Sequence, residues 1–578
     1  MDNTSVTKAA SNSGEMGRRY SRGRKKPKVA IIGAGVAGCA MAAALKDQRI
    51  DFVVYDKNSK PGGLWADNYP GAKVQSTFEL YEYPCKKFPE HIRNRKNPPS
   101  PTADEVCTYL KEFIEEKGMK HKFKYNTKID DIRPVSEGEW TIEFESGKMK
   151  SFSYVIICTG IVSVKPRMID IPGAKDFEWN GGEVIHSSQR KGETFHYEDQ
   201  KVLIIGNGKS AVDAATSAAL IAKEHGTKPP IQVARRAAWY VPRFILGSFQ
   251  YKWVFHTRLG SSLLPRYHET TNWILIFLHL LFAPLKWFLW RIVELLLLIQ
   301  YWLPWRLQPR LGTILRGALD VSVLITDEEH LHRLRSGEID MRIATVERLT
   351  PDGKAILSNG DEEQVDTVIQ ATGWKLGFDT YMDTGSLIRE LDIQEDGLWL
   401  YHNILPPKIK GIAFVGSNTL TFMNIYTSYI QAYWLAGLLA GDRPWPKRDH
   451  MIEKVEQDKA FKRRLYPNHV MRAASIEAYM QHYHDVLFKE MNARKPFTNC
   501  LIRPFADLVV PVTPELMKGT LEPTRESRRE NHMKRKQRKS LENEDTSTTK
   551  EGARSGFLAN LSEELEPPPR ATVPVELA

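Results

Sequence analysis

Cysteine is scarce in this chain. Five of 578 residues are cysteines, at 39, 85, 107, 158 and 500. No two lie close enough in sequence for a Cys-x-x-Cys redox pair or a zinc knuckle. That excludes a dithiol reductase, and an odd, widely spaced set suits a reducing compartment. An apolar stretch near the N-terminus is also missing, so no secretory leader is visible. No charge-free apolar run reaches the roughly 18–20 residues that a helical membrane span needs. The net charge is +11, but much of the excess sits in one place. Lys8, Arg18, Arg19, Arg22, Arg24, Lys25, Lys26 and Lys28 face only Asp2 and Glu15 before the first apolar run. The remaining body is mildly basic, which argues against a nucleic-acid enzyme, and the start reads as a solvated arm.

What is present points to a globular protein of roughly two to four domains, each about 100–200 residues. Apolar residues make up 42% and charged residues 26%. Residues 1–26 and 517–578 lack apolar periodicity and are expected to be disordered tails. Ordered structure is expected from Lys28. "KVAII" reads as a buried strand, a Gly-rich turn and a small-residue helix follow, and "DFVVYD" is the next strand. The pattern returns at 201–236, with "KVLIIG" and "PIQVARR" as strands around a helix. Two further strands, "YVIICTG" and "DTVIQATG", end in Thr-Gly. The expected fold is α/β, with two Rossmann-like dinucleotide-binding domains, one inserted in the other. The first takes 27–165 and 335–445, the second 166–334 with an apolar insertion at 273–305, and a helical cap follows at 446–516.

"IIGAGVAG" places Gly33, Gly35 and Gly38 in the G-x-G-x-x-G pattern. The first glycine permits the tight turn, the second lets backbone approach a pyrophosphate, and the third lets helix pack on strand. The helix N-terminus offers N–H groups and partial positive charge to phosphate. Asp56, ending the next strand, supplies a carboxylate for ribose hydroxyls. Gly63, Leu64 and Trp65, in "GGLW", suit a ligand reaching further across the domain, which favours FAD. In the second loop Gly206, Gly208 and Ala211 fill the pattern, with Ser210 at the helix start. Arg235 and Arg236 stand where an NADH site would carry an acid. They read either as partners of a 2′-phosphate, selecting NADPH, or as plain surface residues.

The order GxGxxG, GGxW, CTG, GxGxxA and ATGW resembles the flavin-containing monooxygenases, over about residues 28–515. "GIAFVGSNTLTFMNIYTSYIQAYW" is similar to the family's last FAD segment, and includes Gly416. The family's F-x-G-x-x-x-H signature is partial: Gly182 and His186 fit, whereas Asn180 and Arg190 do not. The resemblance implies that NADPH reduces FAD and that a flavin C4a-hydroperoxide passes oxygen from O2 to a nitrogen or sulfur of a small molecule, as in N,N-dimethylaniline monooxygenases. It places Gln75 and Ser76 beside the flavin as candidate catalytic residues, where many members carry Asn. "NYPGAK" at 68–73 also resembles Baeyer–Villiger monooxygenases, so oxygen insertion beside a ketone is the alternative. Lys73, Val74 and Gln75 lack the carboxylate of that group, which favours heteroatom oxygenation. No metal and no nucleic acid enters this reading.

The segment 273–305 holds Trp273, Trp287, Trp290, Trp302 and Trp305, of 14 tryptophans in all. Its apolar runs are broken by Lys286, Arg291 and Glu294. An interfacial helix pair on a membrane, a lid, a homodimer contact and a true membrane span are the competing readings. The expected location is cytoplasmic, or peripheral on an intracellular membrane such as the endoplasmic reticulum.

Overall fold

Two parallel sheets carry the architecture, and each grows from one glycine-loop strand. The computed structural model describes residues 28–521, apart from 70, 96–99, 137, 190–198, 248, 320–322, 327, 377–389, 420–421, 468, 470 and 494–502. Residues 1–26 and 522–578, and Arg190 of the partial signature, lie outside the described residues; the expected C-terminal tail starts too early, because Pro514–Met517 forms a short helical turn with Met517 buried. Lys25–Ala440 and Trp445–Glu522 form one compact unit; of a second unit only Gly441–Pro444 is described.

The first sheet runs in the order Ile412–Phe414, Tyr154–Ile157, Val29–Ile32, Phe52–Tyr55 and Phe123–Lys124. All its pairings are parallel. Val29–Ile32 and Tyr154–Ile157 are buried throughout, which is why both read as unbroken apolar runs rather than alternating ones. The helix Val36–Asp47 packs against this sheet, and the long buried helix Asn424–Ala440 packs against that helix. Alanine and glycine dominate Val36–Asp47 because backbone comes close to backbone there.

The second sheet repeats the plan: Asp340–Ile343, Ile231–Ala234, Val202–Ile205, Thr367–Gln370 and Glu183–His186, again all parallel. The helix Lys209–His225 follows its glycine strand. Each half also inserts a three-stranded antiparallel meander before its Thr-Gly strand. These are Ile129–Ser136 to Met149–Phe152 in the first half and Val346–Leu349 to Glu362–Gln364 in the second.

One expectation changes here. The boundary at 334 assigned Asp340–Ile343 and Thr367–Gln370 to the first domain. Both pair in the second sheet instead, and the chain returns to the first sheet only at Ile412–Phe414. A buried parallel strand looks the same whichever sheet receives it, because its partners are remote in sequence. Beyond the sheets lie the helices Arg448–Leu465, Met480–Met491 and Arg503–Val509.

The apolar segment forms two helices, Trp273–Leu281 and Ala283–Tyr301. Among the described residues no single helix is long and apolar enough to cross a membrane. This pair, bent by 55°, meets the length and composition requirement only when taken together.

Candidate active site

The first glycine loop is built by close backbone approach. Gly33 has a φ of +107°, and a Cβ there would stand 2.7 Å from the Cys158 carbonyl oxygen. A Cβ on Gly38 would stand 1.9 Å from the Gly33 carbonyl oxygen, so only glycine lets this helix start so near the strand. Gly35 differs. Its backbone is extended, and a Cβ would meet only the Gly63 backbone, at 3.5 Å from Cα. The second glycine pair therefore lies against the first loop, tied by a hydrogen bond from Gly62 N to Ala34 O of 3.1 Å. Asp56 accepts from the Ala34 amide at 2.6 Å and from the Asn58 amide at 2.8 Å. Burial raises its pKa against those two bonds. Gly416 closes the cradle from the far strand. A Cβ there would meet Ala37 Cβ at 2.6 Å, and its amide donates to Gln431 Oε1 at 2.9 Å.

The second loop repeats this geometry with different supports. Gly206 has a φ of +135°, with the Ala371 carbonyl oxygen 2.6 Å from where its Cβ would be. Around Gly208 a Cβ would meet nothing within 4 Å. The Ala211 Cβ would stand 3.4 Å from the Cβ added at Gly206. Gln232, fully buried in mid-strand, donates from Nε2 to the Gly206 carbonyl at 3.0 Å. Tyr240 donates its hydroxyl to Asn207 Oδ1 at 2.6 Å. Arg235 and Arg236 are exposed just past Ile231–Ala234, where the sequence puts them at the edge of this loop.

Both glycine-loop helices begin on a glycine cap that offers no side-chain hydrogen bond. Their first N–H groups are thereby left for an anion. Buried Asn207 Nδ2 and Ser417 Oγ, beside the two cradles, have no hydrogen-bond partner among the described residues. Residues so arranged fit two dinucleotides.

A single cleft runs between the two. Leu64 and Trp65 line it from the first cradle, Lys209 and Ser210 from the second, with Gln75 and Ser76 between them. Trp65 Nε1 donates to Tyr81 OH at 2.9 Å. The stretch carrying Gln75 is held by Arg243, which donates to the carbonyls of Gln75 and Val74 at 3.2 and 3.1 Å. Burial pushes the Arg243 pKa down to about 10, which leaves it a cation at neutral pH.

His186 is a tie rather than a ligand group. Its ring Nε2 lies 3.0 Å from the Gly373 carbonyl and its Nδ1 2.8 Å from Ser188 Oγ. Because a carbonyl only accepts, Nε2 carries the proton, and burial lowers the ring's pKa. Gly182 leaves room for the Phe177 ring, 2.2 Å from where a Cβ would be.

Further residues reach the site only through folding, and of these His256 and Gln481 belong to no stretch singled out in the sequence. Tyr69 OH donates to Asp213 Oδ2 at 2.6 Å, and Lys209 Nζ to Asp213 Oδ1 at 2.5 Å, joining the 68–73 loop to the second glycine helix. Phe422, Asn424, His256 and Gln481 also line the cleft. Both ring nitrogens of His256 and the whole amide of Gln481 lack hydrogen-bond partners among the described residues.

Comparison with known proteins places these features in a family. A pyridine nucleotide-disulphide oxidoreductase model matches residues 30–225, and a flavin-binding monooxygenase-like model matches 313–509. A probable flavin-containing monooxygenase of Arabidopsis thaliana is 24% identical over 489 residues, 78% of this chain and 90% of its own. The S-allyl-L-cysteine S-oxygenase structure from Allium sativum has a TM-score of 0.55 at 18% identity, covering 81% of this chain and 88% of its own. Cyclohexanone monooxygenase from Rhodococcus sp. Phi1, bound to NADP+, has a TM-score of 0.57 at 15% identity, covering 81% and 97%.

Proposed function

We propose that this chain, which belongs to the flavin-containing monooxygenase family, uses FAD, NADPH and O2 to place oxygen on a soft nitrogen or sulfur of a largely apolar small molecule. One observation carries the reading: Leu64 and Trp65, beside the first glycine loop, and Lys209 and Ser210, at the start of the second glycine helix, line the same cleft. Bound there, the two nucleotides would supply hydride transfer and oxygen activation. The chain's part is binding, orientation and exclusion of water. Gly33, Gly35, Gly38, Asp56, Gly63 and Gly416 would hold the flavin nucleotide. Gly206, Gly208, Ser210, Ala211, Arg235 and Arg236 would hold the nicotinamide nucleotide. Leu264, Trp290, Ile314, Leu324 and Ile325 give the cleft an apolar wall. Such a wall disfavours charged forms, so an amine bound against it is kept deprotonated and nucleophilic. A sulfide needs no such adjustment.

Gln75 and Ser76 line the cleft between the two glycine loops, where Arg243 holds the Gln75 carbonyl and Ser100 the Ser76 carbonyl. No carboxylate stands at 73–75 to serve ketone chemistry. Incubation with amine, sulfide and ketone panels, followed by mass spectrometry, tests the reading. N- or S-oxides are expected. Esters or lactones without either oxide would move the assignment to Baeyer–Villiger oxidation.

The substrate's polar group has candidate partners in His256 and Gln481. Burial pushes the His256 pKa down to about 4, so the ring is neutral at working pH and offers one donor and one acceptor. Losing one such hydrogen bond costs about 0.5–1.5 kcal/mol, roughly 2- to 12-fold in affinity. A His256→Phe variant should therefore raise KM for the oxygenated substrate by that factor. Its rate of NADPH consumption without substrate should not change. An unaltered KM would remove His256 from the substrate site.

A further inference from the structure

The helix Ala283–Tyr301 has two apolar stripes, and only one of them is covered. Trp290, Glu294, Leu297 and Tyr301 recur at helical spacing and are buried in the body. On the other side Leu285, Phe288, Ile292, Leu295, Ile299 and Trp302 recur at the same spacing, and all are exposed. The preceding helix Trp273–Leu281 buries none of its residues. At the end of the pair Trp302 is 77% and Trp305 86% exposed. A helix facing water would carry polar residues on its outer stripe, and an apolar patch this long marks an interaction surface.

The charges around the patch choose between partners. From Thr270 to Gly312 the charged residues are Lys286, Arg291, Glu294, Arg306 and Arg310. Glu294, the single acid, is fully buried, where it binds Arg291 at 2.8 Å and the amides of Gly312 and Ile314 at 2.7 and 2.9 Å. Glu269, just before, pairs with Lys454 at 3.5 Å. The exposed charge of the face is therefore positive, with Arg266 adding to it. Tryptophans and cations bordering an apolar stripe match the interfacial zone of a bilayer. A second copy would instead set these cations against their own equivalents.

The face also has an opening. A groove runs between the helices and the 263–266 segment, with Arg266, His279 and Lys286 on its walls. Lys286 Nζ donates to His279 Nδ1 at 2.7 Å across the bend, and Trp290 Nε1 to the Leu263 carbonyl at 3.2 Å. Leu264 and Trp290 line both this groove and the nucleotide cleft.

We infer that this helix pair is a docking face for an anionic lipid bilayer, lying in its surface without crossing it. The proposal deepens the oxygenase reading by placing an apolar source of substrate beside the cleft. Its test needs no turnover, so its failure and the failure of that reading are separate. The full-length, flavin-loaded protein is sedimented with phosphatidylcholine vesicles and with vesicles that also contain phosphatidylserine. Binding to the anionic vesicles is expected, weakened by salt and reversed by alkaline carbonate. Each exposed cation near an anionic surface contributes about fivefold, so an Arg266→Gln, Arg306→Gln, Arg310→Gln variant, altered at three exposed positions, should bind roughly 100-fold more weakly. A Phe288→Glu, Leu295→Glu variant, altered only on the exposed stripe, should stay in the supernatant with its flavin content and melting temperature unchanged. Four results would overturn the inference. They are no vesicle binding, equal binding by both variants, resistance to carbonate, and a dimer in solution that the Phe288→Glu, Leu295→Glu variant dissociates.

Discussion

A Gly35→Ala variant should fold normally but hold its flavin roughly 5- to 150-fold more weakly, whereas Gly38→Ala should fail to fold stably. The two glycines lie three residues apart in one motif, yet their neighbours differ. At Gly35 the backbone is extended and an added Cβ makes ordinary contact, 3.5 Å from Gly63 Cα. Alanine fits the polypeptide there, but its methyl stands where a pyrophosphate would meet the helix start. Overpacking of that kind costs about 1–3 kcal/mol, or roughly 5- to 150-fold in flavin affinity. At Gly38 the added Cβ lies 1.9 Å from a backbone oxygen that cannot move without the strand. The helix would have to shift off its sheet, carrying the buried Ala40, Ala43 and Ala44 with it. Visible flavin absorbance and thermal melting of both variants check this. A Gly35→Ala protein with full flavin content would show that no dinucleotide phosphate approaches this loop.

The second large effect concerns the choice between nicotinamide cofactors. Wild-type protein should use NADPH at least tenfold more efficiently than NADH, and an Arg235→Ala, Arg236→Ala variant should lose most of that preference. Charge-assisted hydrogen bonds to a 2′-phosphate are worth about 1.5–3 kcal/mol, roughly 10- to 150-fold. Both side chains are exposed at the strand end, so solvent screening puts the effect toward the lower end of that range. For the same reason the preference should shrink as salt rises. Comparison of kcat/KM for the two cofactors at low and high salt is the measurement. Equal efficiencies in the wild type, or an unchanged ratio in the variant, would make the arginines ordinary surface residues. Gly208→Ala supplies an independent control. Its Cβ would meet nothing within 4 Å, so the protein should fold and keep flavin while binding either nicotinamide nucleotide more weakly.

The strand, turn and helix of both glycine loops were legible in the sequence, because their requirements are local. A strand, a turn with positive φ at Gly33 and Gly206, and a helix beginning on glycine occupy neighbouring positions. Their residue preferences therefore appear as a contiguous motif. The same holds for the Thr-Gly strand ends and for the apolar character of 273–305. Strand partnership was beyond its reach. Asp340–Ile343 and Thr367–Gln370 pair with strands more than a hundred residues earlier, and nothing in a short apolar run names its neighbour. The meeting of Leu64, Gln75, Ser76 and Ser210 in one cleft depends on how the two sheets are placed, as does the Tyr69–Asp213 bond. His256 and Gln481 belong to no motif, and they became candidates only when folding left their polar atoms buried without partners. Which stripe of Ala283–Tyr301 is covered and which is bare was likewise decided by tertiary packing. An apolar residue in a helical pattern records that something must bury it, and the three-dimensional arrangement alone determines whether the protein does so itself.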